Sequence, residues 1–248
     1  MRPKRILQSI IDVLKQGIEP VDHSSTPAVE PLSKYVFFEC GFHGDQYLLN
    51  LVDLIVPNCS NFIETGTNVG STLAYVARKY PHIHCLSCEP DSRAFQQALR
   101  NTRNLPNASI WNQTSQKFFG RIETECSYLF NHSILFWLDA HGHGIKWPLK
   151  EEISFITGKF KSAYILIDDF KVPGFSCFGY DQYKGQICSF EYIKDVINQK
   201  VSYKLYYPNY TTRTSKHHPL RGWGLIEYGQ RSPLEISGLL EGKVRPAV

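Results

Sequence analysis

No stretch of this 248-residue sequence is apolar over the length of a membrane span, so no transmembrane helix is expected. Charge of neither sign prevails. The 27 Lys+Arg against 23 Asp+Glu leave a net charge of +4, too mild for a nucleic-acid partner, which usually meets a concentrated basic face. Cysteine is sparse and odd in number, seven residues scattered from Cys40 to Cys188, which does not make a disulfide framework. Cys85 and Cys88 form a C-x-x-C inside a stretch that reads as strand. Residues three apart on a strand point to opposite faces, so two buried small side chains are expected there rather than a redox or zinc half-site. Internal repeats and low-complexity tracts are lacking. No small-residue cleavage site follows the basic start, residues 1–5. A cytoplasmic location is therefore expected, and the sequons at Asn58, Asn107, Asn112, Asn131 and Asn209 count as chance.

What is present is an ordinary globular composition, 42% hydrophobic and 13% aromatic. Ile6, Leu7, Ile10, Ile11, Leu14 and Ile18 recur at helical spacing, and three prolines with Ser24, Ser25 and Thr26 follow between residues 19 and 34. Residues 1–46 thus read as an N-terminal helix and arm, laid on the domain or on a second copy in a homodimer. From residue 47 to 248 the pattern is one domain. Helices are expected at 47–56, 71–80, 92–103, 118–129, 148–156 and 186–198, and strands at 61–65, 82–89, 108–112, 134–139, 164–168, 203–207 and 222–228. The strands are near-continuous apolar runs, as when both faces are covered. About fourteen residues without helical pattern separate the last two strands, too little for a parallel crossover, so they pair as a hairpin. The expected fold class is α/β: a doubly wound, seven-stranded, mostly parallel sheet with an antiparallel terminal hairpin.

The most informative stretch is Phe62-Ile63-Glu64-Thr65-Gly66-Thr67-Asn68-Val69-Gly70-Ser71-Thr72, a strand, an acid, a glycine loop and a helix start in order. Glycines let backbone approach a ligand, and the helix start offers free N–H groups. A dinucleotide site wants G-x-G-x-x-G, but here Asn68 stands where the second glycine would fall. Glu64 beside the loop suits a cationic amino or sulfonium group and disfavours a pyrophosphate. Twenty-five residues on, Glu89 ends the second strand, placed to accept ribose hydroxyls in either kind of nucleoside site.

With these residues the sequence resembles the class I S-adenosylmethionine-dependent methyltransferases, through Glu64–Gly70, Glu89 and the final stretch Gly222-Trp223-Gly224-Leu225-Ile226-Glu227-Tyr228. The resemblance spans about residues 47–229 and implies the Rossmann-like methyltransferase fold. It implies that Glu64, Gly66, Thr67, Asn68 and Gly70, with Ser71 at the helix start, hold the methionine part of S-adenosylmethionine. Glu89 would hold the ribose, and Asn112 or Gln113 would lie near adenine, with Asp139 at the same edge of the site.

Ligands of open parallel sheets lie beyond the carboxyl ends of the strands. The fourth strand runs into Asp139-Ala140-His141-Gly142-His143-Gly144 and the fifth into Asp168-Asp169-Phe170. Asp139, Asp168 and Asp169 resemble the acidic set of metal-dependent O-methyltransferases, including the macrocin type that modify sugar hydroxyls. That resemblance implies Mg2+ or another divalent cation on these three residues, lowering the pKa of a hydroxyl and aligning it with the methyl group. His141 would be the base, with Asp139 beside it as the second catalytic residue. The expected reaction is methyl transfer to the hydroxyl of a small molecule, a sugar or polyol. An NAD-linked oxidoreductase and a non-catalytic cofactor-binding module of the same fold are the alternatives.

Overall fold

The computed structural model describes residues 35–140, 147–216, 218–229 and 242–247. The N-terminal helix, its use in a dimer, and His141 and His143 lie outside the described residues. The compact unit begins at Tyr35, so residues 35–46, read from the sequence as arm, belong to the body. Among the described residues no helix is long and apolar enough to cross a membrane.

Five parallel strands build the centre: β1 (Asn61–Thr65), β2 (His84–Cys88), β3 (Ala108–Trp111), β4 (Ser133–Leu138) and β5 (Ser162–Ile167). Helices α1 (Gln46–Ile55), α2 (Ser71–Lys79), α3 (Ser92–Thr102), α4 (Ser115–Glu125) and α5 (Leu149–Lys159) precede or separate them. Every residue of β1 is buried, and β4 and β5 are buried after their first residue. This is the two-sided covering that their unbroken apolar runs require. Cys85 and Cys88 are both buried in β2 and unbridged. Asn107 donates its amide to the carbonyls of Ala77, Tyr80 and Ile83, work that a glycan on that nitrogen would prevent.

The last strands close the sheet differently from the expected edge hairpin. After β6 (Gln182–Tyr183) and β7 (Gln186–Ile187) come β8 (Tyr203–Pro208), β9 (Gly224–Tyr228) and β10 (Val244–Pro246). The sheet order is β10-β8-β9-β5-β4-β1-β2-β3. β9 is antiparallel to both β5 and β8, so β8 returns parallel to the core strands and β9 lies inside the sheet. An eighth strand, β10, pairs with β8 at the edge. Its Pro246 suits an outermost position, where a missing N–H leaves no ladder bond unmade.

The helix expected over 186–198 is also corrected. Lys184 and Gly185 both have positive φ, 47° and 81°, the conformation of a tight hairpin turn. That turn sends Gln186–Ile187 back along Gln182–Tyr183 as strand, and only Phe190–Ile193 (α6) is helical. The polar spacing carried a helix period, but the turn decided the backbone.

Gly120 in α4 and Gly158 in α5 are exposed, and a Cβ on either meets nothing within 4 Å. Gly120→Ala and Gly158→Ala are each expected to stabilise the protein by about 0.5–1 kcal/mol, by removing backbone freedom from the unfolded chain. Denaturant melts check this; a lower midpoint in both variants contradicts it.

Candidate active site

Register explains how the glycine loop is furnished. Glu64 and Ser87 are paired neighbours on β1 and β2, so their side chains emerge on one face. Ser87 Oγ donates to Glu64 Oε2 at 2.7 Å and shares a short hydrogen bond with Thr67. Glu64 is almost wholly buried. Burial pushes its carboxyl up to about 8, against the Ser87 hydrogen bond, and the charges of Asp139 and Glu89 push the same way as burial. A neutral acid sits where a cationic ligand group would ionise it.

Gly66, Asn68 and Gly70 take positive φ of 84°, 48° and 85°. Gly66 is a packing requirement first: an added Cβ would lie 2.3 Å from the carbonyl oxygen of Asp139. Gly70 caps α2 and packs on Ala98, with 3.3 Å available. The tight approach is thus between the chain's own segments, and it brings the end of β4 against the loop. Glu89 accepts from the backbone N–H of Asn68 at 2.7 Å and of Asp91 at 2.8 Å. It therefore braces the loop while standing at the rim where a ribose would lie. Ser71 starts α2, and its hydroxyl accepts from the backbone N–H of Phe38.

The two candidates for the adenine edge separate. Asn112 donates to the carbonyls of Glu89 and Pro90 and accepts from Ser92, tying the end of β3 to that of β2. Gln113 Oε1 and, two residues on, Ser115 Oγ are buried with no hydrogen-bond partner among the described residues. Buried acceptors left alone are costly.

At the acidic end, Leu138 and Ile167 are register partners on β4 and β5. The residues that follow them, Asp139 and Asp168, are consequently brought together. Asp169 is not. Its φ of 51° turns it away, and its carboxylate accepts from Arg221, which also donates to Asp181 at 2.8 Å. Of the three expected carboxylates, Asp139 and Asp168 thus lie together, and among the described residues the side chain that joins them, with donor atoms within 4.8 Å of one another, is His43. His43 Nε2 lies 2.6 Å from Asp168 Oδ2. Burial lowers its pKa, but the charge and hydrogen bond of Asp168, then Asp139 and Asp169, outweigh this and raise it to about 9.

His43 reaches this position through strain offset by packing. Phe42 and His43 both have left-handed φ, 51° and 56°, costing roughly 1–2 kcal/mol per residue. Phe42 is fully buried against Phe62, Tyr75 and Trp137, with ring centroids 6.3, 6.2 and 4.9 Å away. A buried phenylalanine contributes roughly 3 kcal/mol, about what the turn costs. Asp45 then caps α1 through Tyr47 and Leu48 and accepts from Tyr210 and Thr214. The turn carrying His43 is thereby fastened to the loop between β8 and β9.

The larger of two open clefts lies on His43 and Asp168, lined also by Asp45, Leu48, Arg213, Thr214, Arg221 and Trp223. The smaller is lined by Asp139, Asp168, Trp147 and Cys188. Phe170 and Phe178 are core residues, and Tyr180 is exposed. Arg221 is occupied by two aspartates, and Arg213 donates to the carbonyls of Ser215 and Lys216. Sequence reasoning missed His43, Ser87 and the role of Arg221. The one local hint for His43 was its position between Gly41 and Gly44.

No family model matches the sequence, and no curated protein matches it in sequence. In structure, an O-methyltransferase from Bacillus cereus, solved with SAH, superposes with a TM-score of 0.54 at 14% identity, over 90% of this chain and 89% of its own. The O-methyltransferase TomG from Streptomyces achromogenes, involved in tomaymycin synthesis and solved with SAM, gives 0.52 at 11% identity over 75% and 80%. Spermidine synthase from Thermotoga maritima gives 0.51 at 13% identity over 77% and 63%. Such likenesses establish architecture and leave the reaction to the site. In architecture, the chain has the doubly wound fold of the class I S-adenosylmethionine-dependent methyltransferases.

Proposed function

We propose that this protein transfers a methyl group from S-adenosylmethionine to a hydroxyl of a small molecule, a sugar or polyol. The observation that carries the reading is Glu64: a buried carboxyl at the head of a glycine loop, suited to a cationic ligand. Gln113 Oε1 and Ser115 Oγ support the nucleoside end, since an adenine amino group would donate to such an orphaned acceptor. Glu89, at the end of β2, carries a carboxylate of the kind that accepts ribose hydroxyls. Bound there, the donor supplies an electrophilic sulfonium methyl.

The remaining work falls to the chain. Ionised Glu64 would stabilise the positive end of the donor, and Asp139, whose backbone lies against Gly66, would face the acceptor oxygen as it meets the methyl. A divalent cation on Asp139 and Asp168 would lower the hydroxyl pKa. The proton passes to an oxygen of Asp139 or to the imidazole of His141, two residues on.

Two other readings fit less well. A pyrophosphate at the loop would face the Glu89 carboxylate, which already holds the Asn68 amide, and this disfavours NAD. A polycationic acceptor such as a spermidine precursor would meet the guanidinium groups of Arg213 and Arg221 on the lining of the larger cleft, and this disfavours it. Calorimetry with S-adenosylmethionine is expected to give binding that Glu64→Ala abolishes, and the labelled donor to label a member of a sugar and polyol panel. Failure to bind, or binding indifferent to Glu64→Ala, overturns the donor site. Binding without labelled product favours the non-catalytic module.

A further inference from the structure

We propose that His43, Asp139 and Asp168 form a divalent-cation site of one imidazole and two carboxylates that prefers manganese- and iron-class ions to magnesium. This deepens the methyl-transfer reading and rests on it only for the use made of the ion, because ion binding is measured by itself.

One donor atom from each residue lies within 4.8 Å of the other two. Donors on opposite sides of an ion with bonds of about 2.1 Å are about 4.2 Å apart, so small side-chain rotations close the set. The three donors come from separate elements: the end of β4, the end of β5, and the turn before α1. Phe42, buried beneath that turn, keeps the imidazole in place. Asp168 lines both clefts, while His43 lines the larger and Asp139 the smaller. An ion among them would stand between the two, with coordination positions left for a ligand entering from either.

The donor chemistry sets the preference. Magnesium takes oxygen ligands, keeps several waters and gains little from an imidazole. The residue that would have supplied a third carboxylate, Asp169, is held by Arg221. One nitrogen with two carboxylate oxygens suits manganese, iron, cobalt or zinc. The competing explanation is that His43 and Asp168, 2.6 Å apart, are an ion pair and nothing more.

Electron paramagnetic resonance of the chelator-treated full chain titrated with Mn2+ decides between them. A single bound Mn2+ is expected, with nitrogen coupling from one imidazole, and most of it should stay bound in about tenfold excess Mg2+. His43→Gln should remove the nitrogen coupling and weaken Mn2+ binding at least ~10-fold, and Asp139→Asn should weaken it comparably. Absence of Mn2+ binding, absence of nitrogen coupling, displacement by equimolar Mg2+, or unchanged binding in His43→Gln overturns the site. Should His43→Gln fail to fold, the coupling and the Mg2+ competition in the unaltered protein still decide. Calorimetry with S-adenosylhomocysteine on the same samples separates the two readings. The nucleoside bound without Mn2+ sinks the cation site alone; Mn2+ bound without the nucleoside sinks the methyl-transfer reading alone.

Discussion

Gly66→Ala is expected to destabilise the protein by about 3 kcal/mol, from a left-handed alanine at roughly 1–2 and overpacking at roughly 1–3 kcal/mol, and to abolish binding of S-adenosylhomocysteine. At φ 84° a side chain is strained whatever the space. The space is also missing, because the new Cβ would lie 2.3 Å from the Asp139 carbonyl oxygen and 2.7 Å from its carbon. Those are backbone atoms, so either the loop or the end of β4 must move. Asp139 N donates to Thr65 O at 3.0 Å, which couples the two movements. The cofactor loop and the acidic end would therefore be displaced together. A thermal melt and a calorimetric titration check both effects; a variant with unchanged melting and unchanged affinity contradicts the close approach.

The affinity for S-adenosylmethionine relative to S-adenosylhomocysteine should rise with pH, by up to ~100-fold between pH 6 and 8, since each pH unit is worth at most tenfold. The two ligands share every group except the methyl and its positive charge, so their ratio isolates the sulfonium. Glu64 titrates near 8 in the fold against an ordinary 4.5, and is neutral below that point. A sulfonium draws out the ionised form, and the proton is released on binding until the pH exceeds about 8. The sign for stability is opposite. A carboxyl raised in the folded state favours folding fully below 4.5, and that contribution is lost as pH rises to about 8. Calorimetry in buffers of different ionisation enthalpy measures the released proton. Glu64→Gln should flatten the ratio, and a slope that survives in that variant assigns it to another group.

Both results depend on features of different legibility. The order of strand, acid, glycine loop and helix could be read directly, because residues within one connection need only local geometry. Glu64, Gly66 and Gly70 were assigned from adjacent letters, and β1 came out at the expected bounds. The end of β5 was also visible as an acidic pair, but which of its carboxylates faces the site was not. Alternation would predict that neighbours diverge, yet it cannot say which one turns inward. The positive φ of Asp169 and the position of Arg221, 52 residues away, decide that.

The sequence by itself determined the α/β class, the parallel centre and the glycine loop after the first strand, because buried strands and tight loops leave periodic and compositional marks. Only the tertiary structure decided that β9 lies within the sheet, that Ser87 serves Glu64, and that His43 meets Asp168 across 125 residues. Pairings of that kind arise from sheet order and from the burial of Phe42. No local pattern encodes them, since the energy that enforces them is released only when distant segments pack. The balance of charge along the sequence has a structural counterpart at the site: Asp168 and Asp169 are each met by a basic side chain, His43 and Arg221.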